Sequence, residues 1–112
     1  MGVDHPDTLD TVHGMAWIFR NQGQYGKALA WYERVLAGQE KALGIDHPDT
    51  LATVHNMAWI FGNQGQYGKA LEWYERVLAG REKVLGVGHP DTLDTVHNMA
   101  CLFDKQQAQE LC

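Results

Sequence analysis

Apolar residues recur at helical spacing through the chain. Leu9, Val12, Ala16 and Phe19 return every three or four positions, with Met15 on the same side. Further along, Tyr25, Ala28, Leu29, Tyr32, Val35, Leu36, Ala42 and Leu43 mark one face of a second helix. The segment His-Pro-Asp-Thr, at 5–8, 47–50 and 89–92, supplies the starts. Proline suits the first helical position, and Asp and Thr suit the first turn. Asn21-Gln22-Gly23-Gln24 and, later, Gly44 supply the stops. The pattern predicts helices near 6–21, 25–43, 48–63, 67–85 and 90–109.

The pattern is also periodic on a larger scale. Prolines stand at 6, 48 and 90, so both intervals are 42 residues. Residues 3–44 align without gaps on 45–86 and differ only at 3/45, 10/52, 14/56, 20/62, 30/72, 39/81 and 42/84. A third copy starts at Val87, keeps register through Phe103 and then diverges into Asp-Lys-Gln-Gln-Ala-Gln. The chain reads as one repeat domain, 1–112, with repeat one at 3–44, repeat two at 45–86, and a partial third repeat with a C-terminal cap helix at 87–112. The polar end of that helix, 104–109, reads as a partial cap on the last apolar face.

Composition narrows the function classes. At 112 residues and 12.6 kDa, with 45% apolar and 21% charged residues, the chain has the make-up of an ordinary globular domain. A formal net charge of −5 argues against nucleic acid as a partner. The longest apolar run, such as Met57–Phe61, is far too short to cross a membrane. Serine does not occur, which removes the commonest nucleophile. Two cysteines, Cys101 and Cys112, and no recognisable signal peptide or N-glycosylation site point to a reducing, cytoplasmic location.

Candidate chemistry is sparse. Gly23-Gln24-Tyr25-Gly26-Lys27-Ala28 lacks the earlier glycine and following Ser/Thr of a phosphate loop. The histidines form pairs eight apart, His5/His13, His47/His55 and His89/His97. That spacing parts the rings by about 12 Å along a helix, too far to share a metal ion. His97 and Cys101 do have the four-residue spacing, which gives at most half a site. The expectation is no metal, no cofactor and no catalytic residues, hence not an enzyme.

The motif M-A-x-x-F-x-x-Q-G-x-Y-x-x-A-L-x-x-Y-x-x-V-L, present from Met15 and again from Met57, resembles the tetratricopeptide repeat. The ordinary unit of that family has 34 residues, and the present one is lengthened in its second helix and exit. Residues 81–93, R-E-K-V-L-G-V-G-H-P-D-T-L, resemble the 42-residue variant of kinesin light chains and of some fungal NTPase receptors. The resemblance implies an all-α fold, a right-handed helix-turn-helix solenoid of two full repeats plus a terminal helix. It departs at Val35 and Val77, where alanine is usual, and at Gly26 and Gly68, where a charged helix former is usual.

In this family one flank of each first helix lines a concave groove that binds peptides. On the wheel that flank carries Asp10, His13, Trp17, Arg20 and Asn21 in repeat one. In repeat two it carries Ala52, His55, Trp59, Gly62 and Asn63, and in the partial third Asp94, His97, Cys101, Asp104 and Lys105. Asn56 and Asn98 stand beside the histidines. The resemblance thus implies partner-binding residues His13, Trp17, Arg20, Asn21, His55, Asn56, Trp59, Asn63, His97 and Asn98. The tryptophans equally suit packing between successive first helices, and the sequence leaves both readings open.

Two functions follow. One is an interaction scaffold for a protein or peptide ligand, of the cargo-adaptor type found in kinesin light chains. A carboxylate clamp is excluded, because Asp94 stands where a lysine is needed. The other is a structural array whose main behaviour is head-to-tail self-association, because the first and last helices each leave an apolar flank without a neighbour.

Overall fold

The computed structural model describes residues 6–111, with side chains described for residues 11–108. His5 and Cys112 lie outside the described residues, as do the side chains of Leu9 and Asp10. Five helices follow one another: α1 (Pro6–Asn21), α2 (Tyr25–Ala42), α3 (Pro48–Asn63), α4 (Tyr67–Leu85) and α5 (Pro90–Leu111). No strand occurs among the described residues. The predicted ends are met within two residues. Helix α2 stops at Ala42 because Leu43 already serves as its C-cap, its N–H donating to the Gln39 carbonyl at 2.7 Å. Helix α5 runs on to Leu111 because neither Gly nor Pro follows Pro90.

The junctions between repeats share one turn. Gly44 and Gly86 each take a φ of 95°, a conformation that side chains disfavour. The chain then turns back, and the His47 and His89 N–H groups meet the Gly44 and Gly86 carbonyls at 3.5 and 3.3 Å. Proline opens α3 and α5, as its fixed φ favours. The cap itself is histidine: the Asp49 N–H donates to His47 Nδ1, and the Asp91 N–H to His89 Nδ1, each at 3.1 Å. One histidine of each of these two pairs is therefore a helix cap.

Residue contacts group into two compact units, Met1–Thr53 and Val54–Cys112. In the first, α1 packs on α2, and Val12, Ala16, Ala28, Tyr32 and Val35 are buried together. Met15 departs from the predicted face. It is 39% exposed, with Ile18 beside it on the open flank of α1. On α2, Ala42 is likewise exposed, and Gly38 and Gln39 are buried in its stead. Gln39 keeps a partner there, because the Thr53 hydroxyl donates to its Oε1 at 2.5 Å.

In the second unit Val54, Met57, Ala58, Ile60 and Phe61 of α3 are buried, as are Ala70, Tyr74 and Val77 of α4. Phe61 lies against Trp73 and beneath the Lys69 ammonium. Each fully buried aliphatic side chain of this size contributes about 1.5–3 kcal/mol. Val77 and its counterpart Val35 are fully enclosed, so the packing has absorbed the bulkier residue at these positions. Helix α5 packs on α4. Leu102 is its buried anchor and approaches α3 at Gly62, where an added Cβ would lie 2.9 Å from Leu102 Cδ2.

Candidate functional site

The polar residues of the second unit converge on His55. Its ring stands edge-on to the Tyr74 ring, with centroids 5.2 Å apart. An Arg81 guanidinium nitrogen lies 3.2 Å from His55 Nδ1, and since guanidinium only donates, Nδ1 accepts. Asn98 lies 3.2 Å from Nε2, and the Asp94 carboxylate 4.0 Å away.

Arg81 binds the whole group together. It donates to the Thr95 hydroxyl at 2.8 Å and to the Asp91 carbonyl at 3.1 Å. Burial lowers its pKa from the ordinary arginine value, against the raising influence of Asp91, Asp94 and Tyr74. A guanidinium so fully engaged is a strut more than a ligand-binding group. Its counterpart Gln39 does the same work in repeat one through Thr53, which is the counterpart of Thr95.

The site residues expected from sequence divide into several environments. His55 and Asn98 are brought together. Trp59 and Asn98 share a small pocket of about 80 Å³ with Tyr74, Cys101, Leu102 and Lys105. A volume of that size holds a side chain, well below the usual small-molecule site. His97 sits apart from His55, its Nε2 at 3.7 Å from the Cys101 sulfur, and both residues are exposed. Among the described residues no group of three His, Cys, Asp or Glu could hold a metal ion. Asn63 donates its amide to the Trp59 carbonyl at 2.8 Å, which closes the last turn of α3. Asn56 is half-buried.

In the first unit His13 stands edge-on to Tyr32 at 5.5 Å, repeating the arrangement of His55 and Tyr74. Trp17 is 51% exposed, and Arg20 donates to the Asn21 carbonyl oxygen of the side chain at 3.3 Å. Sequence reasoning missed Arg81, Gln39 and the buried threonines Thr53 and Thr95. The available signal was that position 39/81 is polar within an otherwise apolar helix face and is one of the few that differ between repeats.

The tetratricopeptide repeat family model matches residues 7–83 and 63–111. A crystal structure of a Podosopora anserina putative kinesin light chain with nearly identical TPR-like repeats aligns with a TM-score of 0.84 and 33% identity, over 98% of this chain and 53% of that one. A single-substitution variant of that protein aligns at 0.78 and 34% identity, over 99% of this chain and 54% of that one. The present chain thus spans about half the length of these solved chains. No curated protein matches it.

Proposed function

Since the chain belongs to the tetratricopeptide repeat family, whose fold serves protein–protein interaction, we propose that it is a binding scaffold for a peptide or protein segment, of the kinesin-light-chain-like cargo-adaptor type. The ligand-facing surface is the first-helix flank that lines the concave groove in this family. The observation that carries this reading is the environment of its aromatic positions. Trp17 is 51% exposed and Trp59 is half-buried beside Asn98 and Lys105, while the neighbouring Ala16 and Ala58 are fully buried. A tryptophan retained at a solvent-facing position suits a contact hot spot.

The test is a random peptide library selected on the purified chain, followed by affinity measurement on Trp59→Ala and His97→Ala. Loss of Trp59 is expected to weaken the selected peptides by about thirtyfold, a typical hot-spot effect. Peptides that bind both variants as well as the parent chain overturn the reading.

The alternative, a stacking array, is favoured by one observation at each end of the sequence. Met15 and Ile18 are exposed on α1, while their counterparts Met57 and Ile60 are buried. Leu93, Val96 and Phe103 are exposed on α5. Head-to-tail association through these flanks predicts a sedimentation coefficient that rises over a hundredfold concentration range.

A further inference from the structure

On helix α5 the pair His97 and Cys101 differs from its counterparts, which are His13 with Trp17 on α1 and His55 with Trp59 on α3. His55 is engaged by Tyr74, Arg81 and Asn98, whereas His97 and Cys101 are both exposed. A spacing of four residues puts the two on one face, a single turn apart. Their donor atoms, His97 Nε2 and Cys101 Sγ, lie 3.7 Å from each other. A tetrahedral zinc ion, with bonds of about 2.0 Å to nitrogen and about 2.3 Å to sulfur, separates such donors by about 3.6 Å. The helix therefore holds the two atoms at the bite of one zinc ion. The base is firm, because neither Gly nor Pro follows Pro90 and the adjoining Leu102 is buried.

We infer that His97 and Cys101 are half of a zinc site, completed as a Cys2His2 set by the same pair from a second, antiparallel copy of this chain. Structural zinc takes four protein ligands, and two cysteines with two histidines are one of its usual sets. One chain supplies only two, since no group of three His, Cys, Asp or Glu among the described residues could hold the ion. The flanking charges favour the antiparallel approach. Asp94 and Lys105 are exposed and three turns apart, on the same face as Cys101. Antiparallel helices set Lys105 of each copy beside Asp94 of the other, while parallel ones set like charges together. On binding, each thiol releases its proton to solvent and bonds through sulfur, and each neutral imidazole bonds through Nε2. Two protons leave per zinc ion, and the two thiolates balance its charge. The inference does not rest on the peptide-binding reading, because its readout is a metal-dependent mass and not a peptide affinity.

The probe is the zinc ion alone, titrated into the reduced full chain and followed by sedimentation, with excess chelator as the metal-free baseline. One zinc ion per two chains and a doubled mass are expected. Cobalt(II) in place of zinc should give the intense visible bands of a tetrahedral ion and a thiolate charge-transfer band. Cys101→Ser and His97→Ala should each abolish the zinc-dependent dimer. Both are at exposed positions, and circular dichroism verifies that the variants remain folded. Cys112→Ser should leave the dimer intact, and Lys105→Glu should raise its dissociation constant by roughly threefold or more. Zinc bound to a monomer, or a mass that zinc and chelator leave equal, overturns the proposal. So does a zinc-dependent dimer that survives Cys101→Ser or His97→Ala, or one that Lys105→Glu leaves unweakened.

Discussion

The hydroxyl of Tyr32 is buried and has no hydrogen-bond partner among the described residues. Burial raises its pKa above the ordinary value, partly opposed by Arg20. A raised value means that the folded state favours the neutral phenol. Its contribution to stability is therefore complete below pH 10 and is lost as the pH climbs through the folded value. Tyr32→Phe should be neutral or stabilising by up to about 1 kcal/mol at pH 7, since it removes an unpaired buried group. Urea denaturation at pH 7 and at higher pH checks this, and the variant should lose less stability on the alkaline side. Arg81 presents the opposite case. Arg81→Ala strips Thr95, His55 and the Asp91 carbonyl of a donor and should cost about 2–3 kcal/mol. Arg81→Gln restores the residue found at position 39 and should lose less than half as much. Thermal unfolding of the two variants decides, and equal losses would show that Gln does not reach Thr95.

At the scale of the helix, the caps and the tight helix pair carry the testable content. His89→Ala removes the acceptor for the Asp91 N–H and should cost about 1 kcal/mol, measurable in urea. Ala58→Leu forces added methylenes into a fully buried position and should cost about 1–3 kcal/mol by the same assay. A neutral effect there would mean that α3 and α4 have slack between them. The helices themselves were legible because Pro, Gly and apolar spacing agree on the same boundaries. The histidine caps were not, since His-Pro-Asp-Thr offers Asp and Thr as more familiar capping residues. The threonines of that motif, Thr50 and Thr92, are instead buried, and the Thr92 hydroxyl donates to the Gly86 carbonyl at 2.8 Å. The turn geometry selects the histidine, and a residue-type rule does not contain that geometry.

At the largest scale, contacts group within Met1–Thr53 and within Val54–Cys112. Ala16→Leu and Ala58→Leu, one in each group, should therefore destabilise additively, within about 0.5 kcal/mol in a double-mutant comparison. A larger coupling would show that strain travels between the groups. The exposed flanks were legible because a periodic sequence states what each face normally meets. Ile18 and Ile60 are the same residue in the same motif, yet one is 52% exposed and the other is fully buried. The polar cluster around His55 was not legible, because it joins positions from three helices whose proximity depends on packing. Asn98 and His55 are 43 residues apart in sequence, and no local spacing rule links them.

The matching turns at Gly44–His47 and Gly86–His89 have a genetic consequence. Each joins the same exit turn to the same cap, with the Asp N–H to His Nδ1 distance 3.1 Å in both. Excision of any 42 consecutive residues between them, or insertion of another such block, reproduces a junction of the same kind and leaves the terminal segments untouched. A recombination event between the stretches encoding the two near-identical repeats would therefore yield a shorter or longer array whose seams carry the same turn. Array length is thus a variable that can change by a whole block in one step.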